Sequence, residues 1–90
     1  MILNMYSLFD IKSRIFHPPV YCHNDPHCLR MFESELRKKQ SIFAEYPEDF
    51  QIFNLGTFDD ATGDIIPVKK PTLVQTLSAL AGETDNDEMS

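Results

Sequence analysis

Two cysteines and two histidines fall within seven residues, as Cys22-His23-x3-His27-Cys28. Thiolate sulfur and imidazole nitrogen are the donors zinc prefers. Four ligands this close along one chain, stiffened by Pro26, do not converge on a tetrahedron without help from a second element. No metal and no cofactor is therefore assigned. A cytoplasmic thiol stays reduced, so no disulfide is expected, and Cys28 reads as a small buried helix residue. Asp59, Asp60 and Asp64 begin like a calcium loop. The twelfth position from Asp59 is Lys70 rather than glutamate, so these acids read as turn formers. The three glycines (Gly56, Gly63, Gly82) are scattered, which excludes a phosphate loop. Adjacency of Cys and His in sequence is not the spatial pairing a nucleophile requires. The expectation is a protein without catalytic activity.

The remaining chemistry is cationic and aromatic. Lys12 with Arg14, Arg37-Lys38-Lys39, and Lys69-Lys70 form three basic clusters. Separately they are solvated faces; gathered together they would make a modest groove for a single strand. Tyr6, Phe16, Tyr21 and Phe53 are rings on which bases could stack. A hydroxyl often marks a partly exposed ring, which favours the two tyrosines. The candidate DNA-binding set is thus Lys12, Arg14, Arg37, Lys38, Lys39, Tyr6 and Tyr21.

The formal charge of −6 is uneven. Four of the 14 acids lie in the last eight residues, leaving 10 acids against 8 bases in the body. A near-neutral body argues against strong nonspecific DNA binding, which needs several phosphate-neutralising cations. Residues 83–90 lack aromatic and branched side chains and read as a disordered acidic tail. Such a tail aids solubility or competes with nucleic acid for a basic patch.

Several elements must position these groups. Residues 2–9 are apolar and read as a central strand, buried on much of both faces. Residues 14–22 alternate imperfectly and contain Pro18-Pro19, which suits an edge strand paired to the first as a hairpin. A helix follows over about 25–39, capped by Asp25, with Pro26 in its first turn and an apolar stripe of Cys28, Leu29, Phe32 and Leu36. Its last turn gathers the 37–39 cations, and Glu33–Arg37 and Glu35–Lys39 have favourable spacing. Ser41 starts a short helical turn that Pro47 ends. Residues 50–58 read as a third strand, Asp59–Gly63 as a hairpin loop, and Asp64–Val68 as a fourth, proline-bearing edge strand. From Pro71, the spacing of Leu73, Val74, Leu77 and Leu80 suggests a short closing helix to about Ala81.

The class implied is α+β. A four-stranded, mostly antiparallel sheet of two hairpins carries one main helix and a short C-terminal helix, in a single domain over residues 1–82. Ninety residues leave room for one small core, helped by ten aromatic side chains. No apolar run approaches the roughly 20 residues of a membrane span, and no signal-like segment opens the chain, so a soluble intracellular protein is expected.

One resemblance adds to this. Tyr46-Pro47-Glu48-Asp49-Phe50, then Phe53, Leu55-Gly56, Phe58-Asp59 and Thr62-Gly63-x-Ile65, resembles the small nonstructural protein of gokushovirus-type microviruses, single-stranded DNA bacteriophages. Tyr6-x3-Asp10-x-Lys12, Pro18, Asn24-Asp25 and Arg30-x-Phe32 match that pattern in order, so the likeness covers about residues 1–80. It implies a phage protein of the host cytoplasm that serves genome synthesis or packaging, with single-stranded DNA as partner. The alternative is an adaptor that holds a phage replication protein, a host factor or a capsid protein without touching DNA. The acidic surface and the edge strands around Pro18 and Pro67 motivate it, since an exposed edge accepts a partner strand or a second copy.

Overall fold

The computed structural model describes residues 1–38 and 40–89, with side chains described through residue 83. Five strands and three helices follow in order: β1 Ile2–Asp10, β2 Ile15–Phe16, β3 Val20–Cys22, α1 Asp25–Leu36, α2 Ile42–Glu45, β4 Phe50–Asp59, β5 Ile65–Thr76 and α3 Leu77–Met89. A 3-10 turn over Pro47–Asp49 leads into β4. The sheet is antiparallel with order β2-β1-β4-β5, and β3 also pairs with β1. The class and the two hairpins are those the sequence implies, with β1 and β4 as the central pair.

Strand alternation divides the sheet into two faces. Tyr6 and Leu8 of β1, Cys22 of β3, and Phe50 and Ile52 of β4 point to one side. They meet Cys28 and Phe32 of α1 and Leu77 and Leu80 of α3 in a single buried core. Leu29, Met31, Leu36 and Phe43 close its margin. All three helices contribute to this one layer, and among the described residues no helix packs on the opposite face. Apolar burial here supplies the main stabilising term, at about 25 cal/mol for each Å² removed from water.

The local grammar is explicit. Asn24, rather than Asp25, caps α1: its side-chain oxygen accepts the His27 backbone N–H at 2.9 Å. Asp25 instead accepts the Tyr6 hydroxyl at 2.6 Å, tying the helix start to β1. The helix ends at Leu36, short of 39, because Arg37 serves as its C-cap and donates to the Glu33 and Glu35 carbonyls. Lys38 then folds back on Glu35 at 2.9 Å, three residues apart, while Lys39 of the expected Glu35–Lys39 pair lies outside the described residues. Ser41 caps α2 through the Phe43 N–H. In the β1–β2 turn the Asp10 carboxylate accepts the Ser13 and Lys12 N–H groups, which hold its pKa below the usual carboxylate range.

Three boundaries differ from the sequence expectation. The strand expected over 14–22 is split into β2 and β3, because Pro18 and Pro19 have no N–H to donate to β1. The fourth strand runs to Thr76 rather than Val68, and the helix expected from Pro71 begins only at Leu77. Pro67 and Pro71 are tolerated in so long a strand because β5 lies at the sheet edge. Finally, α3 runs to Met89, so the backbone of the segment read as a disordered tail continues its last turns.

Two irregularities shape β4 and β5. The register passes from Met5↔Gly56 to Tyr6↔Asn54, which leaves Leu55 as the extra residue of a bulge. Opposite it, the pairing of β5 jumps from Pro67 to Thr72, so residues 68–71 stand off the ladder. Gly56 has φ +144°, and a Cβ added there would lie 2.8 Å from Pro67 Cα and closer still to the Ile66 carbonyl oxygen. Only glycine fits where β5 crosses this closely.

Candidate nucleic-acid interface

The face turned away from the helices carries Leu3, Met5, Ser7 and Phe9 of β1, Phe16 of β2 and Tyr21 of β3. It continues with Gln51, Phe53 and Phe58 of β4 and Ile65 and Leu73 of β5, as the registers require. None of these residues is charged. Their rings fall into two groups. Phe9, Phe16 and Phe53 form a triangle with centroids 4.7, 6.1 and 5.7 Å apart. Tyr21 and Phe58 form a pair at 5.4 Å. Offset and edge contacts at these distances are the favourable ones for aromatic rings. Phe16 is 39% and Tyr21 46% exposed, and Leu73 beside Phe53 is 48% exposed. Exposed apolar side chains thus gather on the face that the helices leave uncovered.

Between the two groups no ring is placed by the register. Met5, Ser7 and Gly56 occupy that stretch and are all buried. The Ser7 hydroxyl donates to the His17 carbonyl, which closes the β2–β3 break over that edge.

The predicted site residues separate under this geometry. Tyr21 lies on the open face as expected of a stacking residue. Tyr6 does not: it is fully buried, with its hydroxyl satisfied by Asp25 rather than by water. Burial, followed by the Asp25 hydrogen bond, pushes its pKa well above the usual tyrosine value. Lys12 and Arg14 sit in the exposed β1–β2 turn, next to Ile15 and Phe16, and Arg14 adopts φ 60° there. Arg37 and Lys38 follow α1 in the helix layer, on the other side of the sheet from the open rings. Lys39 lies outside the described residues. The fold thus does not gather the three basic clusters into one groove. It does place Lys69 and Lys70, both exposed, on the excursion of β5 at the sheet edge, level with Leu55.

Sequence reasoning named Phe16 and Phe53 among the rings but missed Phe9 and Phe58. For Phe9 the signal was present, since it follows the core residue Leu8 and must face away from the core. Phe58 has the parity of the core residue Ile52 and reaches the open face only through the bulge at Leu55.

The Cys22–Cys28 segment is divided by the fold. Both residues are in the core as free thiols, and burial pushes both up in pKa. His23 and His27 stack outside at 5.4 Å, with the His27 Nδ1 accepting the His23 backbone N–H at 3.3 Å. Among the described residues no group of three or more metal-ligating side chains forms. Asp59 is occupied in its hairpin: its carboxylate accepts the Ala61 N–H at 2.9 Å and its carbonyl accepts the Gly63 N–H at 2.7 Å. A cleft of about 380 Å³ lies between the His17–Val20 segment and the α1–α2 corner, lined by Leu8, Met31, Phe32, Phe43 and Glu35.

Fold and surface together define a one-layer helix-on-sheet domain with a bare aromatic sheet face. The chain belongs to the Phage ORF5 protein family, whose model matches residues 3–80, and it is therefore a phage protein. No curated protein and no solved structure matches it. Among the described residues no helix is long and apolar enough to cross a membrane.

Proposed function

We propose that this phage protein is a non-enzymatic accessory that binds single-stranded DNA on the open face of its sheet. Its setting is genome synthesis or packaging by a small single-stranded DNA phage of the gokushovirus type, in the cytoplasm of the host. The observation that carries this reading is the half-exposed Phe9–Phe16–Phe53 triangle on an uncharged face, with Lys12 and Arg14 at one end and Lys69 and Lys70 at one edge. Base stacking on exposed rings is worth about 1–3 kcal/mol per base and needs no sequence readout. Flanking cations hold phosphates and make the affinity fall with salt. A duplex presents no free base faces to such a surface, so the single strand is the fitting partner.

The test is anisotropy of a labelled oligo(dT) at low and moderate salt. Binding is expected at low salt, weakened by salt and by Phe16→Ala. A chain ending at residue 82 that still binds nothing at low salt overturns the reading, because the acidic segment can then not be blamed. A protein-adaptor role has one observation in its favour, the apolar cleft beside His17 and Phe43. Co-purification of a phage replication or capsid protein, lost on Phe43→Ala and indifferent to nuclease, would support that reading instead.

A further inference from the structure

We infer that the two ring groups are two stacking stations for one continuous strand, which runs along β1 and β4 rather than across the sheet. This rests on the reading of the open face as a single-strand site. Phe53 pairs with Ser7 and Phe58 with Leu3, so the stations lie four residues apart along β1, about 13 Å at ~3.3 Å per residue. Between the stations Met5, Ser7 and Gly56 are buried, so that stretch presents no exposed ring of its own and a sugar-phosphate segment would pass over it from one station to the next.

Cations occur at the two positions a backbone on this path needs. Lys69 and Lys70 stand off β5 opposite Leu55, level with the gap between the stations. Lys12 and Arg14 lie beyond the Phe9–Phe16–Phe53 station, past the end of β1. Rings and cations therefore alternate along the strand direction: Tyr21–Phe58, then Lys69–Lys70, then the phenylalanine triangle, then Arg14 and Lys12. A path across the sheet would meet one station only and leave one cation pair unused. The named residues of the face are uncharged. The nearest carboxylates are at its two ends: Asp10 in the β1–β2 turn, where backbone N–H groups hold it, and Asp59, Asp60 and Asp64 in the hairpin beyond Phe58.

The experiment is a length series, (dT)3 to (dT)12, against wild type, Tyr21→Ala, Phe16→Ala and the double variant K69Q/K70Q, each first checked for an unchanged thermal melt. Phe16 and Tyr21 are exposed enough that their loss spares the core. Wild-type affinity is expected to rise by about tenfold or more once an oligomer spans both stations, and then to level off. Tyr21→Ala removes that rise and leaves the shortest oligomers unaffected or nearly so. The lysine variant lowers the slope of log affinity against log salt by about 1.4, the value for two phosphates of a single strand. If Tyr21→Ala changes nothing while Phe16→Ala abolishes binding, the two-station path is wrong although the function stands. If neither wild type nor the chain ending at residue 82 binds any length at low salt, the function itself fails. A concentration-dependent dimer that Phe16→Ala dissolves and oligonucleotide leaves intact would also overturn the inference, since a second copy would then occupy the face.

Discussion

Replacing Gly56 by alanine should be the most damaging single-methyl change in this chain. The backbone there sits at φ +144°, a region essentially reserved for glycine, and holding another residue in it costs on the order of 1–3 kcal/mol. The new methyl meets backbone on β5, the Ile66 carbonyl and Pro67 Cα, neither of which can turn aside as a side chain would. Relief requires β5 to move away where its ladder is already interrupted by the 68–71 excursion. Overpacking of that kind adds roughly 1–3 kcal/mol, for a total of about 2–6 kcal/mol. A domain of this length has about 5–13 kcal/mol of stability, so the middle of that range of loss, about 4 kcal/mol, removes nearly half of a mid-range stability. Urea denaturation followed by far-UV circular dichroism measures the loss directly. Gly63→Ala is the control, with φ +80° and open space around the added atom, and should lose only about 1–2 kcal/mol. If G56A loses less than about 1 kcal/mol, or no more than G63A, the close crossing of β4 and β5 is not as described.

Other outcomes follow from named contacts. Tyr6→Phe removes the bond that fastens α1 to β1, and should lower stability by about 0.5–1.5 kcal/mol in urea titration, because Asp25 can return to water. Asn24→Ala should lose about 0.5–2 kcal/mol by uncapping α1, whereas Asn24→Gly loses only a few tenths. Alkaline pH should unfold the domain. Cys22, Cys28 and Tyr6 hold their protons more tightly folded than unfolded, so their contribution is complete below about pH 8 and falls as pH rises past the ordinary thiol and phenol values. Urea midpoints at pH 7, 9 and 10.5 should decline in that order, and a flat series contradicts the burial of these groups.

How much of this was legible in the residues depended on whether local pattern and tertiary role agreed. β1, β4 and the Asp59–Asp64 hairpin announce themselves by apolar runs and turn chemistry that no neighbour overrides. The misplaced boundary after Pro71 has a specific cause. Val74 is the extra residue where the β4–β5 register slips, so Leu73 and Val74 are adjacent yet both useful, one on the open face and one at the core margin. With Leu77 and Leu80 they imitate a helical stripe although only the latter two are helical. Tyr6 misled for a similar reason: its hydroxyl found Asp25 within the fold, which no spacing rule reveals. Arg37 and Lys38 were unreadable as site residues because the side of the sheet that α1 covers is a property of packing. The two ring groups were half legible, since parity against Leu8 and Ile52 decides the direction of Phe9 and Phe53 once the strands are known.

The central pairing of the sheet joins segments far apart in the chain: Asp10 must find Phe50, and Ile2 must find Asp59. A nascent polypeptide leaving the ribosome therefore carries β1 with its inner edge unmatched until the whole of β4 has emerged. Non-local pairing of this kind raises contact order and slows folding relative to a helical protein of equal size. In the interval the β1–β2–β3 portion is an apolar ribbon whose best available neighbour is its own counterpart on another ribosome. Yield of the folded protein in a heavily expressing cell should hence depend on temperature and synthesis rate more than on the final stability of the domain.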